Sequence, residues 1–379
     1  MLENTKTSSS LIVETKLKSS IRLNCDWEVE KLVVYEERNE KKGKYQTFTG
    51  SHAQFKFITY VEGLIKEEHE VTVVLEIGRC AFEAPRILQT LGADVHLIAV
   101  SKIEALIRSK SRKTDRLDAK FLSTLNLETA PRVWIPSRVQ WEKRKLMECR
   151  DNKIKVINQI NARLRSFMVL TPLLPELINK KKKASVWRDK LTYWREEFSL
   201  AFTDYIWEEL FDLIDRLELA EKSLNRTEQR LDELEQKENE AAESTGTESV
   251  LSKLKKIKGV GDQISRTFSW YVGDFGRFKN SKHFASYFGL TPTPYNSCKT
   301  NRNLGISKAG KPCLRSMALQ LAWLWKRHQK ETEIYKKWEY RLQGQRSRKT
   351  SIVAMARQII VALYHYIVNG SEIEGIQYS

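Results

Sequence analysis

The feature that most constrains this chain is a change in its hydrophobic period. From Ile21 apolar residues alternate with polar ones in short runs that further on are interleaved with helical stretches, whereas beyond Thr114 the helical spacing of every third or fourth position predominates. A strand shows alternate side chains to opposite faces and a helix repeats every 3.6 residues, so one pattern cannot serve the other structure. The runs IRLNC from Ile21, KLVVYEE from Lys31 and YQTFTGS from Tyr45, bounded by charged or glycine-containing turns, predict three short strands in meander order. A helix is expected over Ala53 to Lys66, a strand over Val71 to Leu75, a helix over Ala81 to Leu91 and a strand over Asp94 to Val100.

Strands first in antiparallel series and then alternating with helices imply a mixed α/β sheet, an order compatible with an RNase H-like fold. After it, TDRLDAKFLSTL places Leu117, Phe121, Leu122 and Leu125 at helical spacing behind Thr114, which predicts an N-cap. Gln140 to Val169 reads as a long charged helix, closed by the breaks at Thr171-Pro172 and Leu174-Pro175. An apolar seam at Leu210, Leu213, Leu217, Ala220, Leu224, Leu231 and Leu234, with Thr227 the polar exception, fits either a short coiled coil or a helix packing within its own subunit. Glu238 to Ser249, acidic and rich in small polar residues, is the expected linker. A third region opens at Leu251, with a loop over Thr291 to Gly305 and helical sequence on to Val368. The expected organisation is therefore α/β plus α: a tail over 1–18, a mixed-sheet domain over 19–138, a helical or coiled-coil arm and linker over 139–248, and a mostly helical C-terminal domain over 249–379.

Charge narrows the partners. The 65 Lys and Arg against 48 Asp and Glu leave a net charge of +17, the footprint of a chain that neutralises phosphates, while 41% hydrophobic residues suffice for real cores. No run of 18 apolar residues and no secretory leader is read, so a cytoplasmic, nucleoid-associated protein without a membrane partner is expected. Five scattered cysteines without a C-x-x-C pair, and six dispersed histidines, argue against a disulfide framework and a zinc site.

Asp26 and Glu76 end predicted strands beside apolar neighbours, where a carboxylate is expensive to bury unless a cation compensates it. Asp115 and Asp118 stand three apart on a predicted helix and so share a face. Four hard oxygen donors brought together would suit Mg²⁺, as one or two ions of the kind that assist phosphoryl transfer. By spacing alone each acid is more often an ordinary turn or solvated helix-start residue than a metal ligand.

The string KTDRLDA, with Glu76 in VLEIGRCAFEAPRILQTLGADVHLIAV, resembles the N-terminal domain of the DEDD transposases of the insertion-sequence family numbered one hundred and ten. The resemblance implies a RuvC-like site at Asp26, Glu76, Asp115 and Asp118; Asn24 and Cys25 depart from the glycine and aliphatic residue usual before the first acid. Late in the chain, GLTPTPYNSCKTNRNLGISKAGKPCLR is similar to the second signature of that family. By position it implies that Ser297 is a nucleophile forming a covalent serine-DNA intermediate, although Cys298 and Lys299 replace the small glycines that usually follow. The family further implies a structured guide, the bridge RNA, and a homo-oligomer, dimer or tetramer.

Ile257-Lys258-Gly259-Val260-Gly261 reads as the turn of a helix-hairpin-helix or as a plain connection between helices. Lys258, Gly259 and Gly261 are then candidates for phosphate contact, as are Lys113 at the head of KTDRLDA and Lys299, Arg302, Lys308, Lys311 and Arg315 around the serine. Ser307 is expected to cap a helix, and Trp323, Trp325 and Trp338 to lie in a core. Three readings follow: a transposase or recombinase acting on DNA, a RuvC-like endonuclease using metal-activated water, and a decayed nucleic-acid-binding scaffold.

Overall fold

A computed structural model describes residues 19–28, 30–78, 82–100, 103, 114–174, 180–297, 300–344 and 348–379, with side chains outside 294–304. Lys113, Cys298 and Lys299 lie outside the described residues. The chain divides into two compact units, Met1–Arg138 and Val139–Ser379.

In the first unit, β1 (Ser20–Trp27), β2 (Lys31–Arg38) and β3 (Lys44–Thr49) form the expected meander. Helix α1 (Ala53–Lys66) leads to β4 (Glu70–Glu76), and α2 (Glu83–Leu91) to β5 (Asp94–Ile98). The sheet runs β3-β2-β1-β4-β5, antiparallel from β1 outward to β3 and parallel from β1 through β4 to β5. Alternation decides its faces. Ile21, Leu23 and Cys25 join Val71, Val73 and Leu75 on the side covered by Phe57, Val61 and Leu64 of α1 and Leu88 of α2. The opposite side, with Val33, Tyr35 and Val74, is covered by Ala119 and Leu122 of α3 (Asp115–Ser123).

In the second unit, α4 (Arg138–Val169), α5 (Ala184–Glu197) and α6 (Asp204–Ser244) form the arm. Helices α4 and α6 run antiparallel, tied by Lys143 to Glu238, by Arg150 Nε to Glu228 at 3.2 Å and by Lys153 Nζ to the Ser223 carbonyl at 2.9 Å. The apolar seam is used inside the subunit: Leu210, Leu213 and Leu217 pack with Trp187, Leu191 and Trp194 of α5, and Leu231 joins the C-terminal core. Thr227, buried within this seam, is satisfied by Lys153 and by its own bond to the Ser223 carbonyl.

The expected linker is mostly helix. Its Glu and Ala residues are strong helix formers, and Glu238 accepts from Trp270 Nε1 at 2.8 Å while Asn239 accepts from Ser249 Oγ at 2.6 Å. Beyond it come α7 (Val250–Lys255), α8 (Asp262–Val272) and α9 (Ser281–Tyr287). The expected loop over Thr291 to Gly305 is instead a hairpin, β6 (Pro292–Ser297) and β7 (Thr300–Ile306). Its prolines and asparagines read as loop, but in a two-stranded ribbon both strands are edges, and an edge tolerates proline. Helices α10 (Pro312–His328), α11 (Glu333–Gln343) and α12 (Arg348–Asn369) close the unit around Phe268, Phe284, Phe288 and Ile359. Helix α12 is long and apolar enough by length and composition to cross a membrane, although Arg357, Gln358 and His365 leave it without an unbroken run of 18 apolar residues. One of its faces, with Ile352, Met355, Ile359 and Leu363, is core.

Candidate active site

Asp26 lies within electrostatic reach of Asp115 and Asp118 on the α3 side of the first sheet, and Glu76 ends the strand beside it. Cys25 pairs with Leu75 across the parallel β1-β4 ladder, so Asp26 and Glu76, one residue on, lie side by side at the same end of neighbouring strands. Because Cys25 and Leu75 face the α1 side, strand alternation turns Asp26 and Glu76 to the other. Helix α3 crosses that face. Its N-cap is Thr114, whose side chain accepts from Leu117 N–H as expected, and its first turn carries Asp115 and Asp118 at the positive end of the helix.

The acids are not equivalent. Burial, then the negative charges of Asp115, Asp118 and Glu28, push the Asp26 carboxyl up from 3.8 to about 6. Asp115 accepts from Lys31 Nζ at 2.6 Å, which holds its carboxyl below the ordinary range. Among the described residues no three His, Cys, Asp or Glu side chains come close enough together to hold a metal ion, so the four acids are not drawn into one ligand set. The site is nevertheless rich in oxygen donors, and ionised Asp26 is disfavoured there in a way that a nearby cation would relieve.

Sequence reasoning missed the residues that hold this site in shape. Arg22 donates through Nη2 to the carbonyls of Leu122 at 2.9 Å and Leu125 at 3.0 Å, pinning the C-terminal end of α3, where a cation is favoured. Its Nε donates to Asn24 Oδ1 at 3.1 Å, and the fully buried Asn24 donates to the Tyr35 carbonyl and to Glu37. Asn24 thus ties Arg22, which reaches the helix, to the neighbouring strand β2. The legible signal was the polar row Arg22, Asn24, Asp26 at every second position of an otherwise apolar strand.

In the second unit Ser297 ends β6 and pairs with Thr300, at the tip of the hairpin. Arg302 lies on β7 opposite Tyr295. The base of the hairpin is fixed by close backbone contact: a Cβ added to Gly310 would come within 2.2 Å of the Tyr287 carbonyl oxygen, and Gly289 adopts φ +67° beside it. Arg315, read as a phosphate contact, has Nη1 committed to the Lys308 carbonyl at 3.2 Å and, more weakly, to that of Gly310. Lys308 is exposed, and Lys311 lies over the Tyr271 ring at 5.3 Å. Ser307 caps no helix, because α10 starts at Pro312 with Lys311 at its N-cap; the Ser307 hydroxyl meets that of Thr291 at 3.3 Å instead.

The glycine-containing turn does join two helices, α7 and α8. Gly259 has φ +92°, and Gly261 occupies the N-cap of α8. Lys258 is exposed, but its backbone is engaged: its N–H donates to the Gln377 carbonyl at 3.0 Å and its carbonyl accepts from the fully buried Gln329 at 2.8 Å. Of the three tryptophans expected in a core, Trp325 is buried, Trp338 is half-buried with Nε1 donating to Gln358 at 2.6 Å, and Trp323 is exposed on the outer side of α10.

Residues 251–337 match the Transposase IS116/IS110/IS902 family, a span that runs from α7 into α11 and includes the Ser297 hairpin. The chain is 28% identical over 326 residues to a Sinorhizobium fredii (strain NBRC 101917 / NGR234) protein provisionally named transposase y4rJ, covering 80% of this chain and 78% of that protein. It is 23% identical over 307 residues to a second protein of that strain, provisionally named transposase y4qE, covering 80% and 70%. These likenesses support a role in DNA transposition.

Proposed function

We propose that this chain is a transposase or recombinase that cuts and rejoins DNA strands to excise and insert a mobile element. What supports the reading is that strand register turns Asp26 and Glu76 to the face crossed by the helix carrying Asp115 and Asp118, with Asp26 within electrostatic reach of both, in a chain similar to transposases. The strand order β3-β2-β1-β4-β5, with its antiparallel and parallel halves, supports an RNase H-like, RuvC-like reading of that unit. In this reading those four acids hold Mg²⁺. The ion would supply charge stabilisation for an attacking or departing phosphate-ester oxygen.

Ser297 supplies the nucleophile. Its hydroxyl oxygen would bond to phosphorus as the bond from that phosphorus to one DNA oxygen breaks, the proton lost by the serine being balanced by the one gained by the departing DNA hydroxyl, and the serine ester would keep the strand activated for the reverse exchange with another DNA hydroxyl. Thr114 and the α3 N-terminus fix Asp115 and Asp118, Arg22 holds the far end of that helix, and Lys31 balances Asp115. The glycine turn between α7 and α8 reads as a helix-hairpin-helix grip on phosphates, and Lys113, Lys299 and Arg302 as further phosphate contacts. A bridge RNA pairing with element and target, and a dimer or tetramer acting inside the cell at the nucleoid, complete the proposal.

The test is covalency. A nicked suicide substrate is incubated with the protein in Mg²⁺, the mixture is denatured, and protein-bound DNA is mapped. An adduct at Ser297, absent from Ser297→Ala, is the expected result. Cleavage without an adduct, undiminished in Ser297→Ala, would replace the recombinase with an endonuclease using activated water.

A further inference from the structure

Helix α12 carries apolar residues on more than its core-facing side. One side is core. The other, with Val353, Ala354, Val361 and Ala362 only half-buried, opens into a cleft of about 1200 Å³ between α11, α12 and the base of the β6-β7 hairpin. Leu290, Ile306 and Ile334 extend its apolar wall, and Trp338 stands at its edge.

The charged residues among its described lining are all cations: Lys308, Lys349 and Arg357. No ion pair within the described residues engages them. An apolar cleft with a cationic rim and no acid asks for an occupant that is planar or greasy in one part and anionic in another. A second copy of a +17 chain brings the wrong overall charge. An unpaired nucleotide brings a base face for the apolar wall and a phosphate for the rim.

Position favours DNA as the source. Pro292 and Ile306, paired at the base of the hairpin, line the cleft, and Ser297 ends the same β6 strand. Five strand steps of roughly 3.4 Å put the two about 17 Å apart, or about five nucleotides of a stacked strand. We propose that this cleft takes an unpaired nucleotide of the DNA strand whose cleavage site lies at the hairpin tip, with Lys308, Lys349 and Arg357 on its phosphates. The choice of DNA rests on the function proposed above, whereas the binding itself requires no nucleophile.

Equilibrium binding of a fluorescent single-stranded oligothymidine and of a blunt duplex is measured by anisotropy with the full chain, without Mg²⁺. Ala354→Trp places a bulky ring on the apolar wall of the cleft and Arg357→Gln removes one rim cation. Each is expected to weaken single-strand binding about tenfold, the scale of one lost base-stacking contact, and to change duplex binding less than twofold. An oligothymidine carrying one 4-thiothymidine should crosslink to residues within 334–362. Equal loss for duplex and single strand, or no loss for either, overturns the proposal. So does preference of the cleft for the matching RNA oligomer, a change of oligomeric state as the sole effect of Ala354→Trp, or loss confined to anionic phosphatidylglycerol vesicles. Intact cleft binding alongside a missing Ser297 adduct would sink the recombinase reading and leave this one standing.

Discussion

Replacing Asp26 by asparagine should make the protein more stable at neutral pH and less able to respond to Mg²⁺. The shift of this carboxyl from 3.8 to about 6 corresponds to roughly 3 kcal/mol against its ionised form. The side chain is only half-buried, so solvent screening reduces the expected effect to about 1–2 kcal/mol. The folded state holds this proton to higher pH than the unfolded chain does. Its contribution is therefore full below about pH 4 and is lost as pH rises through about 6, leaving the native protein carrying an unfavourable charge above that. Asp26→Asn removes the charge and should raise the melting temperature of the first unit by roughly 3–8 °C at pH 7.5, with little change at pH 4. Differential scanning fluorimetry at the two pH values, with and without Mg²⁺, reads this out; Mg²⁺ should stabilise the wild type and narrow the gap. A variant less stable than wild type at pH 7.5 in metal-free buffer would refute the argument, because the carboxylate would then be a favourable native contact.

Arg22→Met should cost about 2–4 kcal/mol in denaturant unfolding, since it leaves the Leu122 and Leu125 carbonyls and Asn24 without their charged donor; a cost below 0.5 kcal/mol would mean that α3 is held by packing alone. Gly310→Ala should displace the hairpin base or cost about 2–3 kcal/mol, because the added methyl meets backbone at 2.2 Å; an unchanged melting temperature would show that the Gly289-Gly310 contact is not tight. Affinity for nucleic acid should fall about 10³-fold between 50 and 200 mM salt if six or more phosphates are contacted, and a flat titration would remove phosphate neutralisation as the role of the excess charge.

Much of this architecture was legible in the sequence because it follows from local periodicity. Alternation in IRLNC, KLVVYEE and YQTFTGS and the apolar β-rich run VTVVL place the strands, and three-and-four spacing behind Thr114 places α3 with its cap. The same alternation, read through the strand register, turns Asp26 and Glu76 to one face. Local pattern misled where its signals competed. ENEAAES was read as linker although its helix formers extend α6, and the prolines of PTPYNS concealed a strand that pairs antiparallel with β7. Only tertiary structure decided that the Leu210 seam meets Trp187, Leu191 and Trp194 of the same chain, that Arg22 reaches a hundred residues to hold α3, and that Lys31 rather than another acid stands against Asp115. Each of those choices depends on which surfaces bury one another, and a hydrophobic pattern fixes the face a residue occupies without fixing what lies opposite it.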